Sequence, residues 1–321
     1  MGEKFADVEG NAEVLKGKNV EILLKFQRHG LREGLNLTPE GREITRDLAE
    51  KSNWRVTDDS ESSARAFDAA KAIGSPQGAP KATPENPRPM SRALETAHIT
   101  AETVAGERAG EWKSRPEKRL NYENIKTPKP YNHEKIYNGA LAAAIRKLGR
   151  GDLEQKDLTK EEKIQVTEEA QAVVIQHISS LDTPEAQVFK KENAGMFADL
   201  VEHYMDMTHY LNNDSKVLYV AGTHGGTMEW LLQEALVHTD AQGNKIVGFK
   251  SPDEIGGGFN SSDAYNVDIM NDENGDLKDL RVTFDNPERP QEEMHLDVEK
   301  IHELATFYRT LHEQPVQEGK Q

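Results

Sequence analysis

Apolar residues fall along this chain in two short dense runs and several longer, spaced patterns. Val20 to Phe26 (VEILLKF) and Lys216 to Ala221 (KVLYVA) are almost continuous, which suits strands buried on both faces of a sheet. Elsewhere the spacing predicts helices. Thr38 can cap a helix with Pro39 at its first position and Ile44 and Leu48 on one face. Leu94, Ala97, Ala101 and Val104 stripe a second helix over 92–105. Three helices then follow without an intervening strand. They run over 134–148, stopped by Gly149; over 160–181, opened by the box Thr159-x-x-Glu162; and over 184–211, capped by Thr183. A short helix leads from the glycines after Ala221 to Leu236. Ala264 to Met270 and Leu277 to Phe284 read as a hairpin turning at Asn274-Gly275, and 298–312 closes as a helix. Residues 55–91 are dense in Asp, Ser, Pro and Gly. A strand is expected to end over Lys71 to Gly74, with a loop from Ser75 to Pro89.

These elements predict an α/β fold of three layers, α/β/α, with a mostly parallel central sheet and a helical insertion. The expected divisions are a polar arm over 1–19, one catalytic domain over 20–312 and a polar tail over 313–321. Within the domain, 133–211 reads as a helical insertion or cap.

Composition narrows the classes. With 36% hydrophobic and 30% charged residues in 321, the chain can bury a core and reads as soluble. It has no cysteine, which excludes disulfides and Cys-ligated metals and fits a cytoplasmic setting. The first residues hold no apolar run of the kind found in a signal peptide or membrane anchor. A formal charge of -16 argues against nucleic acid or an anionic membrane as partner. An anionic substrate would need its own local cluster of cations.

Such a cluster is visible. Both dense runs end in a histidine and a glycine: Arg28-His29-Gly30 and Thr223-His224-Gly225. Ligands of open α/β sheets bind beyond the carboxyl ends of the strands, so both histidines point to one cleft if the strands are neighbours. Arg28 and Arg32 flank His29, and Arg92 opens a helix. Guanidinium forks match phosphate oxygens bidentately. Arg65, in Ser63-Ala64-Arg65-Ala66, is an alternative to Arg92. Other patterns carry little. Asp272 to Asp276 misses calcium-loop spacing, Gly256-Gly257-Gly258 is no dinucleotide fingerprint, and there is no G-x-S-x-G, P-loop or H-E-x-x-H motif.

Four pieces in order, Arg28-His29-Gly30, Leu37-Thr38-x-x-Gly41, Arg92-Ala93-x-x-Thr96-Ala97 and His224-Gly225-Gly226, closely resemble the histidine phosphatase superfamily, also called phosphoglycerate mutase-like. The resemblance covers about 20–105 and 215–312. It implies that His29 attacks phosphorus to form phosphohistidine, that Arg28, Arg92 and His224 hold the phosphoryl oxygens, and that neither metal nor cofactor takes part. Arg32 and Gly225 would join in binding the phosphate or substrate, and Ser75, just after the presumed strand, is expected to line the cleft. One branch of the family places Asp after the second histidine; Gly225 stands there, so the other branch is implied. That branch draws its general acid from a segment similar to Leu120-Asn121-Tyr122-Glu123, which designates Glu123, with Glu33 second. The implied activity is phosphomonoester hydrolysis, on a phosphorylated small molecule or phosphoprotein. Two rivals share the residues: a phosphoglycerate-type mutase, disfavoured by the short Leu31–Leu37 connection, and a non-catalytic phosphate-binding module.

Overall fold

The computed structural model describes residues 17–57, 64–84, 86–87, 89–121, 125, 133–239 and 243–312. β1 (Glu21–Arg28) runs into the first histidine. A hairpin of β2 (Arg32–Glu33) and β3 (Asn36–Leu37) leads to α1 (Pro39–Lys51). A small parallel pair, β4 (Trp54–Val56) and β5 (Arg65–Phe67), precedes β6 (Ala69–Gly74). Then come α2 (Arg92–Ala105), β7 (Arg115–Pro116) and the helices α3 (His133–Lys147), α4 (Lys160–Ser180) and α5 (Pro184–Met207). The remainder is β8 (Lys216–Thr223), α6 (Glu229–Ala235), β9 (Leu236–Thr239), β10 (Lys245–Val247), β11 (Ala264–Asn271), β12 (Leu277–Phe284), β13 (Met294–Leu296) and α7 (Val298–His312).

Nine of these strands form one sheet, ordered β10-β9-β13-β12-β11-β1-β8-β6-β7. The pairs β1–β8, β8–β6 and β6–β7 are parallel. From β11 outward to β10 every pair is antiparallel, so β1, β8, β6, β7, β12 and β9 point one way and three strands the other. The sheet is sandwiched as expected of a three-layer α/β fold. Alternation along β1 sends Leu23 to one face, where it meets Ala97, Ala101 and Val104 of α2. Ile22, Leu24 and Phe26 go to the other, against Phe197, Leu200 and Val201 of α5 and Leu304 of α7. α3 and α4 pack on each other and enclose a separate small cluster of Ala144, Ile145, Leu158 and Val166.

Two expectations shift. α1 does not bury Ile44 and Leu48; Leu48 is exposed and the inward face is Gly41, Thr45 and Ala49. Small residues win there because the helix backbone lies against the turn after His29, where a Cβ on Gly41 would collide with the Leu31 carbonyl. Thr45 is buried with its hydroxyl satisfied, donating to the Gly41 carbonyl at 2.7 Å. The short strands β9, β10 and β13 also escaped the apolar pattern, having only three or four residues each. The hairpin turn at Asn274-Gly275 is present, with Gly275 at a φ of 84°.

Candidate active site

β1 and β8 lie side by side in parallel, with Arg28 opposite Thr223. The next residue on each strand is a histidine, so both emerge at the same end of the sheet. The His29 backbone N–H donates to the Thr223 carbonyl at 2.9 Å. The two rings stand edge to face with centroids 5.2 Å apart.

The surrounding backbone is held from α2. Gly30 N–H donates to the Thr96 hydroxyl at 3.0 Å, and that hydroxyl donates to the Arg92 carbonyl at 2.9 Å. The threonine four residues after Arg92 thus ties the histidine loop to the first turn of the helix. Ser91 caps that turn by accepting from Leu94 N–H at 3.1 Å. Close approach explains two glycines. A Cβ on Gly222 would collide with the Ala93 carbonyl, and one on Gly225 would fall 2.5 Å from Arg28 Nε.

The electrostatics favour neutral imidazoles. Burial, then His224, pulls the His29 pKa well below its ordinary value, with Arg28 and Arg92 adding to the fall. Burial and the three arginines Arg92, Arg32 and Arg28 pull His224 down to about 3. His29 Nδ1 lies 2.9 Å from the Gly30 carbonyl. A carbonyl only accepts, so Nδ1 carries the ring proton and Nε2 keeps its lone pair. Burial lowers the Arg28 pKa too, while Glu168 and Glu229 oppose that fall.

Arg28 is fastened from behind. Its guanidinium donates to the Phe259 carbonyl, and Phe259 N–H donates to the Glu229 carboxylate at 3.1 Å. The Gly256-Gly257-Gly258 run forms the loop that presents this carbonyl. Buried Arg289 holds the loop by donating to the carbonyls of Ile255, Gly257 and Gly258 at 2.7–2.9 Å, to Asp263, and by lying 4.1 Å from the Phe259 ring centre. This support was invisible in the sequence. The triple glycine was the one trace of it, and it argued merely against a dinucleotide site.

Arg28, His29, Arg32, Arg92, His224 and Gly225 all line one cavity of about 690 Å³. Ser75 does not line it. It is fully buried behind the start of α2, where its carbonyl accepts from the Ser91 hydroxyl and its own hydroxyl accepts from Gln77 N–H. Its part is to seat α2 rather than to touch a ligand. Arg65 is elsewhere as well, paired with Glu21 and Asp268 near the opposite end of β1. Glu123 lies outside the described residues, whereas Glu33 reaches the rim. A carboxylate that the sequence did not single out, Glu168 of α4, is also in the lining. Among the described residues, the one group with metal-ligand spacing is Asp279, Glu293 and His295. Asp279 is on β12, His295 on β13 and Glu293 just before it, away from the cavity, since Asp279 pairs with Met270 and Met270 with Glu21 at the start of β1. No helix among the described residues is long and apolar enough to cross a membrane.

No family model and no curated protein matches the chain. Solved structures similar to it include a mycobacterial glucosyl-3-phosphoglycerate phosphatase, at 13% identity and a TM-score of 0.39, covering 83% of this chain and 97% of that one. A protein described as mycobacterial hydrolase 2 is 14% identical with a TM-score of 0.34, covering 90% and 98%. The phytase from D. castellii is 11% identical with a TM-score of 0.40, covering 92% and 80%. Likeness this faint leaves the chemistry to be argued from the chain's own residues.

Proposed function

We propose that the protein hydrolyses phosphomonoesters through a phosphohistidine formed on His29, as the resemblance to the histidine phosphatase superfamily implies. The observation that carries this reading is the tautomer. A buried imidazole whose Nδ1–H is engaged by Gly30 presents an unprotonated Nε2 to a cavity that also holds Arg28, Arg32, Arg92 and His224. Nε2 attacks phosphorus and the bond to the ester oxygen breaks. The departing alkoxide takes a proton from a carboxylic acid, for which Glu123 is the first candidate and Glu33 the second. Water then attacks the phosphohistidine, the P–N bond breaks, the carboxylate takes the water's proton and inorganic phosphate leaves. Arginines stabilise the equatorial oxygens throughout, a role that otherwise falls to a metal ion.

His29→Ala should lose turnover while remaining folded, because the side chain ends in the cavity and not in the core. Rapid-quench labelling of the wild type should trap acid-labile, base-stable phosphate on His29. Hydrolysis by the alanine variant near the wild-type rate would falsify the covalent route. Release of inorganic phosphate, rather than its transfer between phosphoglycerates, separates a hydrolase from a mutase or a binding module.

A further inference from the structure

We infer that Arg289 is a positioning residue for phosphoryl transfer: it clamps the segment 255–263 so that the Phe259 carbonyl aims the Arg28 guanidinium at the phosphate. This rests on the phosphomonoesterase reading above and adds what keeps its first arginine in place. Arg289 is buried and is not among the residues that line the cavity, so it acts through others. Four contacts that fix the site leave from this one segment. The Phe259 carbonyl accepts from the Arg28 guanidinium, and the Asp263 carbonyl accepts from Arg28 N–H at 2.9 Å. Ser262 N–H donates to the His29 carbonyl at 3.4 Å, and Ser261 N–H donates to the Glu168 carboxylate at 3.2 Å. Side chain and backbone of Arg28 are thus both set by the segment, as is the carbonyl of the nucleophile beside it.

Arg289 grips the segment at both ends. At the near end it donates to the carbonyls of Ile255, Gly257 and Gly258; at the far end Nη2 donates to the Asp263 carboxylate at 2.8 Å. Between them its guanidinium carbon lies 4.1 Å from the Phe259 ring centre, a cation–π contact. Phe259 N–H is tied to Glu229 at 3.1 Å. Phe259 is therefore held at its ring, at its N–H and at the carbonyl before it, which leaves its own carbonyl little freedom to turn. The segment also carries strain. Ser262 has a φ of 65°, a left-handed conformation that costs a serine energy and persists where the surroundings over-determine it. The clamp needs a fork. Three carbonyls and a carboxylate around one planar group match the five donors of a guanidinium, whereas an ammonium offers three from a single point.

The test is a double-mutant cycle on the intact protein, read in kcat/KM on p-nitrophenyl phosphate and, independently, in the Kd for inorganic phosphate. Arg289→Lys keeps a charge opposite Asp263 but loses the fork. It should lower kcat/KM and weaken phosphate binding by roughly 10-fold each, since a small displacement of an anion-holding group is costly. In an Arg28→Ala background the same change should cost less than about 2-fold, because its effect runs through Arg28. Phe259→Leu keeps the carbonyl and removes the ring beside Arg289. It should move both readouts the same way and lose that effect in the same background, and it decides the matter if the lysine variant does not fold. An unchanged single variant, or an equal loss with and without Arg28, overturns the inference, the latter by assigning Arg289 to general stability. A wild type that binds phosphate but turns over no ester overturns the hydrolase reading alone, because the phosphate cycle is read without turnover. A wild type that does neither overturns both.

Discussion

Around His29 the site is locked from every side, whereas α4 meets the same cavity with a row of half-buried polar side chains. The locked floor combines a parallel strand pair, a threonine strut from α2 and a loop pinned by Arg289. Gly222 and Gly225 in it have no room for a Cβ. The α4 wall contacts the floor at few points, among them Glu168 to Ser261 and Gln171 beside Gly226. Much of its packing is with α3, around a small cluster of their own. The two regions divide the labour. A floor fixed to fractions of an ångström suits group transfer, where misplacement is costly. A wall of exchangeable side chains suits choosing among alcohols, because changing one of them disturbs little else.

Arg92→Ala gives the largest expected effect after loss of the nucleophile. Removing a preformed cation from the floor should lower kcat/KM by roughly 100- to 1,000-fold for every ester, aryl or alkyl. A loss that depends on the alcohol would place Arg92 with the wall instead. Glu123→Gln should cost roughly 100-fold on alkyl phosphates and far less on nitrophenyl phosphate, whose leaving group needs little protonation. An equal loss on both would assign Glu123 to binding, and no loss would move the acid to Glu33 on the rim or Glu168 on the wall. The smallest effect concerns stability. His224 has a pKa of about 3 in the fold against 6.5 ordinarily. Between those values the unfolded chain binds a proton that the native state does not, so stability falls as pH drops from 6.5 towards 3. Urea midpoints at pH 7.5 and 5 should therefore draw closer together in His224→Gln than in the wild type. An unchanged gap would mean that burial does not hold His224 neutral in the native state.

How much was legible in the sequence follows the same division. The floor is written in short runs with local logic. A strand ending in Arg-His-Gly, a capped helix opening with Arg92 and a second strand ending in His-Gly could each be read from a few adjacent residues. α2 matches its expected limits of 92–105, and α4 opens at the expected capping box. What escaped depends on residues far apart in the chain. Arg28 is steadied by Phe259 and, through the loop, by Arg289, more than 200 positions away. Ser75 looked like a cleft residue because it follows a strand, but the close packing of α2 turns it inward. Glu168 sits in a helix whose polar stripe resembles any solvated face until the floor is placed opposite it. In α1, a preference for large apolar residues concealed a small-residue contact face.

The sheet's two rims have a consequence of their own for crowded solutions. A wide sheet with long bare margins invites another chain to add strands to it and so to seed fibrils. Here one margin is β7, two residues long, and its Pro116 has no N–H to offer. The other is β10, three residues long and carrying Lys245. Both outermost strands are short, so each offers an intruding chain little to copy. A substitution that lengthened either margin should therefore favour strand addition by another chain, even with every residue of the cavity untouched.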